Sequence, residues 1–442
     1  MVKLIGALSR LNPVKVLLIG DFMLDTYTMG KIRRISPEAP VSVLNVQKEE
    51  SRPGGAGNVA LNLVSLGAEI CAVGRIGPDE AGQKLKAALE KEEILTHHLL
   101  VQQGFKTPVK NRLIADAQQV LRVDFETFAP LDQELEREII KRIPTLLAQV
   151  QIVAISDYGK GFLSTALLAK VIEEARKKEI PVIVDPKGED FAKYTGATII
   201  KPNLSEAYAA ARLAPDTSLE RVATTILHQC NVDMLLITRS EAGMTLFHKS
   251  GERVDFPVRS KEVKDVTGAG DTVLALICLA LANGLDIKEA AHFANIAAGL
   301  AIERLGCARI NLAEMAERLF EFNSDNKIFD EEHLFALEQV LQGKDYLVFG
   351  IESKEGMTTA LFRSIRELSQ RHPQAKLIVY MREDAPDEEF ISLLSSLTEV
   401  DFIVVNCESL KTLCARIHPH QVYLIDAGRL LALPHADALL TT

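Results

Sequence analysis

Two aspartates bracket the run Asp265-Val-Thr-Gly-Ala-Gly-Asp271, and the apolar stretch TVLALICLALANGL follows it at once. A glycine-rich turn feeding a helix offers unpaired backbone N–H groups and the positive end of the helix dipole to one point, where phosphate oxygens can sit. A carboxylate beside a bound anion is costly unless it has a task. Asp271 has one if it takes a proton from a hydroxyl that attacks phosphorus. These residue types in this order point to phosphoryl transfer to an alcohol. The same segment also reads as a plain loop, with Asp271 a favourable first-turn residue of the helix.

A second glycine-rich turn, Arg52-Pro-Gly-Gly-Ala-Gly-Asn-Val-Ala60, enters the helical pattern NVALNLVSLGA. Gly54 and Gly55 permit close backbone approach to a ligand, and Asn58 offers both a donor and an acceptor to sugar hydroxyls.

The elements that must position these groups follow from hydrophobic patterning. Apolar β-rich runs at Val14–Ile19, Ile152–Ile155, Val182–Val184 and Leu235–Ile237 each end near a polar residue, and amphipathic helical stretches separate them. Strands alternating with helices predict a mostly parallel sheet covered on both faces, with ligands at the carboxyl ends of its strands. Asp21, Asp157, Asp185 and Asn203 fall at such ends. Val41–Val46, and the pair Lys110–Ile114 with Gln119–Asp124, break the rhythm and read as short antiparallel strands, either a lid over the sugar side or an ordinary surface hairpin. The pattern resets at Asn323-Ser-Asp-Asn326, and a second alternating α/β unit follows through YLVFGI, LIVYM, FIVV and VYLID. The expected domains are therefore 1–322 and 323–442.

Composition sets outer bounds. At 442 residues the chain exceeds a typical single domain. The net charge of -10 argues against a nucleic-acid partner but leaves small anionic substrates open. The six cysteines are scattered without metal-ligand spacing and read as reduced core residues of a cytoplasmic protein. The apolar run before Asp21 reads as a buried strand rather than a signal peptide, and no apolar segment is long enough to span a bilayer, so no membrane partner is expected.

Taken together, the RPGGAGN and DVTGAGD segments resemble the two signatures of the ribokinase-like (phosphofructokinase-B) carbohydrate kinases. Lys201-Pro-Asn-Leu-Ser-Glu206 resembles that family's Asn-x-x-Glu element, whose acidic member helps place the magnesium of Mg·ATP; a simple capping role for Asn203 is the other reading. The segments GDFMLDTYTMG, RISPEAPVSVLNV, SDYGKG, DPKG and KPNLSEAY narrow the likeness. They resemble the kinase half of the bifunctional heptose-7-phosphate kinases and heptose-1-phosphate adenylyltransferases of lipopolysaccharide core synthesis, over roughly three-quarters of the chain. The implied fold is α/β, a ribokinase-like three-layer unit with a small β lid, followed by a smaller nucleotidyltransferase-like α/β domain. The implied reaction carries the γ-phosphoryl group of ATP to the anomeric hydroxyl of D-glycero-D-manno-heptose 7-phosphate, with ATP and Mg²⁺ as cofactors and a homodimer as the expected assembly.

By position, the resemblance makes Asp271 the general base and Gly268, Ala269 and Gly270 the anion hole. Asn203, Leu204, Ser205, Glu206, Thr238 and Gly243 fall on the nucleotide side, with Glu206 toward the metal. Asp21, Asp25, Gly54, Gly55 and Asn58 are expected at the sugar, and Arg34, Lys160 and Lys187 at its 7-phosphate. Where relatives carry Gly-Lys-Leu-Gly-Thr, this chain has Glu303-Arg-Leu-Gly-Cys307. In the second domain, Phe329-Asp-Glu-Glu-His333-Leu-Phe-Ala336 resembles a Phe-Asp-x-x-His-x-Gly-His nucleotidyl-transfer signature, with Phe335 and Ala336 in place of the glycine and second histidine. That reading implies a retained fold with a lost transferase activity. A ribokinase-like kinase of another sugar and a binding or assembly pseudoenzyme are the competing readings.

Overall fold

The computed structural model describes residues 2–433 except 117, 259–262, 305, 323–326, 384 and 427–428. Contacts divide the chain into Leu11–Asn311 and a second unit made of the described residues of 1–10 and 312–442. This differs at both ends from the expected division at 322. Helix Leu312–Phe322 packs on helix Leu334–Leu341, and helix Val2–Leu8 packs on both, so these flanking segments belong to the second unit.

The first unit is built on a nine-stranded sheet. Its order is Arg253–Phe256, Met244–His248, Met234–Thr238, Ile199–Ile200, Val182–Asp185, Ile152–Ser156, Lys15–Gly20, Glu69–Ile76 and Leu95–Val101. The first two strands are antiparallel to their neighbours and the rest run parallel, as the alternation of apolar runs and helices predicts. Strand Lys15–Gly20 is buried on both faces beyond its first residue, which is why it reads as an unbroken apolar run. After this strand the chain leaves for one side of the sheet and returns on the other at Ile152–Ser156, pairing Gly20 with Ser156. That reversal makes the gap between Asp21 and Asp157 the place where such sheets hold ligands.

A separate four-stranded sheet, ordered Ser42–Gly55, Phe22–Ile35, Val109–Ala115 and Gln118–Phe125, forms the lid. Its last two strands are the antiparallel pair read from the sequence, whereas the long strand Phe22–Ile35 went unread. Strand Phe22–Ile35 begins one residue after Asp21, and strand Ser42–Gly55 passes directly into helix Ala56–Ser65. Helix Ala269–Ala282 is buried from Asp271 to Ala280, which explains its lack of a polar face. Among the described residues no helix is long and apolar enough to cross a membrane.

The second unit has a six-stranded sheet ordered Ile328–Phe329, Phe402–Val404, Lys376–Met381, Tyr346–Ile351, Gln421–Asp426 and Arg429–Leu433. Alternate residues of its central strand enter two different cores: Leu347, Phe349 and Ile351 one, Tyr346 and Val348 the other. Helices therefore cover both faces, as expected for a three-layer α/β domain.

Candidate active site

Asp271 lies in the first turn of helix Ala269–Ala282 and is only 5% exposed. No side chain caps this helix, and Gly268 at its N-cap has φ 80°. A Cβ at Gly268 would lie 2.9 Å from Asn58 Nδ2 and 3.1 Å from Cys307 Sγ, so both conformation and space demand glycine. Ala269 N already donates to the Val266 carbonyl at 3.3 Å, so the helix start that was expected to hold an anion at Gly268, Ala269 and Gly270 offers only its remaining first-turn N–H groups.

Both carboxylate oxygens of Asp271 are held by neutral donors. Asn58 Nδ2 donates to Oδ2 at 2.7 Å, and the Tyr158 hydroxyl donates to Oδ1 at 2.8 Å. Burial pushes the Asp271 carboxyl up to about 7, an effect opposed by these two hydrogen bonds and reinforced by the nearby Asp185 charge. A carboxyl poised there is suited to general-base work near neutrality.

Two cavities flank this group. A larger one of about 650 Å³ is lined by Tyr158, Asp185, Lys187, Lys201, Asn203, Glu206, Thr238, Gly243, Ala269 and Gly270, with an apolar wall from Val258, Val266, Ala298 and Ile302. The smaller, about 420 Å³, is lined by Asp25, Tyr27, Arg52, Asn58, Arg304, Cys307 and Arg309. The larger suits a nucleotide, with an apolar end for a base and Lys201 beside the glycines. A Cβ on Gly270 would lie 3.4 Å from Lys201 Nζ, and that ammonium pairs with Asp185 at 2.9 Å.

Four of the six residues expected on the nucleotide side line one cavity. Asn203, Glu206, Thr238 and Gly243 line the larger cavity, while Leu204 and Ser205 stand on the same helix start. Asn203 and Glu206 also form a full capping box: Asn203 Oδ1 accepts from Glu206 N at 2.9 Å, and Glu206 Oε2 accepts from Asn203 N at 3.0 Å. The capping and ligand readings of this motif thus fall on the same atoms.

The sugar-side expectations divide. Asp25 lines the smaller cavity and pairs with Arg112 at 2.6 Å. Gly54 is required there, since a Cβ on it would meet Asp25 Oδ2 at 2.2 Å. Gly55, at φ 58°, is the N-cap of the helix that carries Asn58. Asn58 lines the cavity but commits its amide donor to Asp271. Asp21, 3% exposed, has its Oδ2 taken by the backbone N–H groups of Tyr158 and Lys160, both at 3.0 Å. Its burial raises its carboxyl above the usual range, with those two donors opposing.

None of the three expected phosphate cations lines the smaller cavity. Lys187 lies on the nucleotide-side cavity and pairs with Glu206 at 2.7 Å. Lys160 pairs with Glu126 at 2.7 Å. Arg34 is exposed near the far end of lid strand Phe22–Ile35. The arginines that line the cavity are Arg52, Arg304 and Arg309, none of them among the expected phosphate cations. Tyr158 and Lys201 were visible only as letters within SDYGKG and KPNLSE; nothing in spacing alone announces that Tyr158 reaches Asp271. The departing segment Glu303–Cys307 is fastened to the site: Gly306 N donates to Asp265 Oδ2 at 2.9 Å, while Thr267 N and Oγ1 take Asp265 Oδ1.

In the second unit, the sheet order corrects the reading of Phe329–Ala336. Phe329 ends a two-residue edge strand, and His333 Nδ1 pairs with Asp330 of its own turn at 2.6 Å. Ala336 is buried within helix Leu334–Leu341. The reversal of strand order, where a ligand site belongs, is instead at the carboxyl ends of Tyr346–Ile351 and Gln421–Asp426. The loop there, Glu352-Ser-Lys-Glu-Gly-Met-Thr358, contains no histidine. Glu352 pairs with Lys354 and lies 3.6 Å from Arg382, Ser353 N donates to Glu383 Oε1 at 2.6 Å, and Thr358 caps the following helix through Leu361 N.

Residues 14–314 match the family model of the pfkB family carbohydrate kinases. The chain is 44% identical over 330 residues to the bifunctional protein HldE of Trichlorobacter lovleyi, spanning 74% of this chain and 67% of that protein. It is 36% identical over 431 residues to the bifunctional protein HldE of Syntrophotalea carbinolica, spanning 90% of this chain and 84% of that protein. Among solved structures, Arabidopsis thaliana ribokinase complexed with ribose and ATP is 18% identical with a TM-score of 0.55, covering 70% of this chain and 99% of that one. Escherichia coli phosphofructokinase-2 in complex with potassium is 20% identical with a TM-score of 0.58 at the same coverage. These two likenesses establish the fold of the first unit.

Proposed function

Because the chain belongs to the pfkB family of carbohydrate kinases, we propose that it transfers the γ-phosphoryl group of ATP to the anomeric hydroxyl of D-glycero-D-manno-heptose 7-phosphate. The observation that carries this reading is the place of Asp271, joined to Asn58 of the smaller cavity and to Tyr158 of the larger one. A hydroxyl in the smaller cavity gives its proton to Asp271 as its oxygen bonds to the γ-phosphorus. The bond from that phosphorus to the bridging oxygen breaks, and ADP leaves. The first-turn N–H groups and Lys201 offset the charge that collects on the phosphoryl oxygens.

The heptose acceptor rests on the likeness to the HldE proteins and on three arginines, Arg52, Arg304 and Arg309, in the acceptor cavity. The phosphate of such a sugar would meet three positive charges there, of which Arg309 also pairs with Glu92 at 2.9 Å and Arg52 lies 3.6 Å from Glu50. Among the described residues no group of three or more His, Cys, Asp or Glu could cage a metal. Asp157, Asp185, Glu206 and Glu241 line the nucleotide cavity; with Asp157 Oδ2 taken by Lys193 and Tyr194, Asp185 and Glu206 are the pair that fits magnesium, which keeps several waters and binds chiefly through phosphates. Magnesium bound there would neutralise charge on the transferring phosphate. The same reading includes a homodimer formed through the lid, where Val120, Leu121 and Phe125 stand 53%, 54% and 59% exposed, and work in the cytoplasm on soluble metabolites.

We infer no nucleotidyl transfer by the second unit. The Glu383 carboxylate takes the Ser353 N–H that a phosphate would need, and Glu352 adds a second negative charge beside it.

The kinase reading is tested by incubating the purified chain with Mg·ATP and a panel of heptose 7-phosphate, ribose, fructose 6-phosphate and adenosine while following ADP release. Efficient turnover confined to heptose 7-phosphate is expected. Equal efficiency on another member of the panel would replace the acceptor.

A further inference from the structure

Tyr158 reaches Asp271 because its loop is fastened from three sides. Asp21 Oδ2 accepts the N–H groups of Tyr158 and Lys160, Arg75 Nη2 donates to the Lys160 carbonyl at 2.7 Å, and Asp157 Oδ1 accepts from Gly159 N at 2.7 Å. Arg75 is itself 2% exposed and spends its other hydrogen bonds on Gln102 and the carbonyls of Ala129 and Pro130. Three buried side chains, through four hydrogen bonds, thus fix a loop whose side chain aimed at Asp271 is a phenol.

We propose that Tyr158 is a positioning residue for phosphoryl transfer, its hydroxyl holding the Asp271 carboxylate in place and favouring its ionised form. This rests on the reading of Asp271 as the general base. Burial and the neighbouring carboxylates keep the phenol protonated, so it acts only as a donor. The groups facing Asp271 are Asn58 from helix Ala56–Ser65, Asp185 from strand Val182–Asp185, Lys201 after strand Ile199–Ile200, and Cys307 beside Gly268. Asn58 and, from the loop after strand Ile152–Ser156, Tyr158 donate directly to its carboxylate. Asn58 is bound into the helix and cannot be altered without disturbing the acceptor cavity. Tyr158 can lose its hydroxyl alone.

The test is Tyr158→Phe, with 3-fluorotyrosine at position 158 as a nearly isosteric second variant, each compared with the wild type across pH. A hydrogen bond donated to the carboxylate favours its ionised form, and losing it moves the titration upward. Tyr158→Phe is expected to move the acid limb of kcat upward by about one pH unit and to lower kcat about tenfold, with KM for ATP unchanged. The fluorinated phenol is a stronger donor and should move the limb downward. The substrate's own phosphate ionisation is common to all three proteins and cancels. An acid limb that stays in place in both variants overturns the proposal, whatever happens to kcat or to melting temperature. Asp271→Asn measured beside them separates the premises: if it still turns over, the base assignment falls and takes the proposal with it. If it is inactive while the limbs stay fixed, only the role of Tyr158 is lost.

Discussion

Asn58 and Asp271 lie 213 positions apart in the chain and meet side chain to side chain at 2.7 Å, in a buried contact. Asn58 lines the smaller cavity and Asp271 stands in the first turn of helix Ala269–Ala282, so the carboxylate proposed as the base is joined to the wall of the cavity proposed for the acceptor.

Replacing Asp271 by Asn should leave nucleotide binding intact and lower turnover about a hundredfold or more, the usual contribution of a general base. The amide can still accept from Asn58 through its oxygen and donate to the Tyr158 oxygen, so the site stays assembled. ATP affinity by calorimetry, together with ADP release, checks both halves; near-normal turnover would remove Asp271 from the mechanism.

The pH dependence follows from the same carboxyl. Asp271 must be ionised to accept a proton, and with burial holding it near 7, kcat should climb through neutrality and level above it. Stability runs the other way. The folded carboxyl titrates above its unfolded value, so its favourable contribution is complete below the ordinary carboxylate range and is lost as pH rises through about 7. Asp271→Asn carries no such charge and should therefore melt higher than the wild type above pH 7, a difference that shrinks in acid.

Glu206→Gln should raise the magnesium concentration needed for half-maximal rate. The side-chain oxygen can still accept from Asn203 N, so the capping box survives, and the lost pair with the half-exposed Lys187 costs little stability. A magnesium titration read beside a melting curve separates the two roles: an unchanged titration leaves Glu206 as a capping residue alone.

Heptose 1-phosphate with ATP or CTP should yield no pyrophosphate from the full chain carrying Asp271→Asn, in which kinase turnover of nucleotide is expected to be about a hundredfold lower. Robust release would mean that the loop at Glu352–Thr358 opens to phosphate after all.

The strands and their polar ends were legible because burial on both faces leaves unbroken apolar runs, and the turn into helix Ala269–Ala282 because a glycine must stand where Gly268 does. The partners of Asp271 were not. Whether Asn58 faces a sugar or a carboxylate depends on a contact across two elements, and only the assembled sheet brings SDYGKG beneath the helix. Lys187 was misplaced for a related reason: a cation next to a strand end can serve either of two cavities, and its pairing with Glu206 decides which. The match of Phe329–Ala336 to a transfer signature failed because a short string carries no information about sheet order. A strand at the edge and a strand at the reversal can spell alike.

The lid is rooted without slack. One of its long strands starts a single residue after Asp21, and the other runs straight into the helix that carries Asn58. Those two roots lead, through the Tyr158 loop and through the amide of Asn58, to opposite oxygens of one carboxylate. Either lid strand is therefore tied to the Asp271 carboxylate by a short run of chain and hydrogen bonds, with no long loop between.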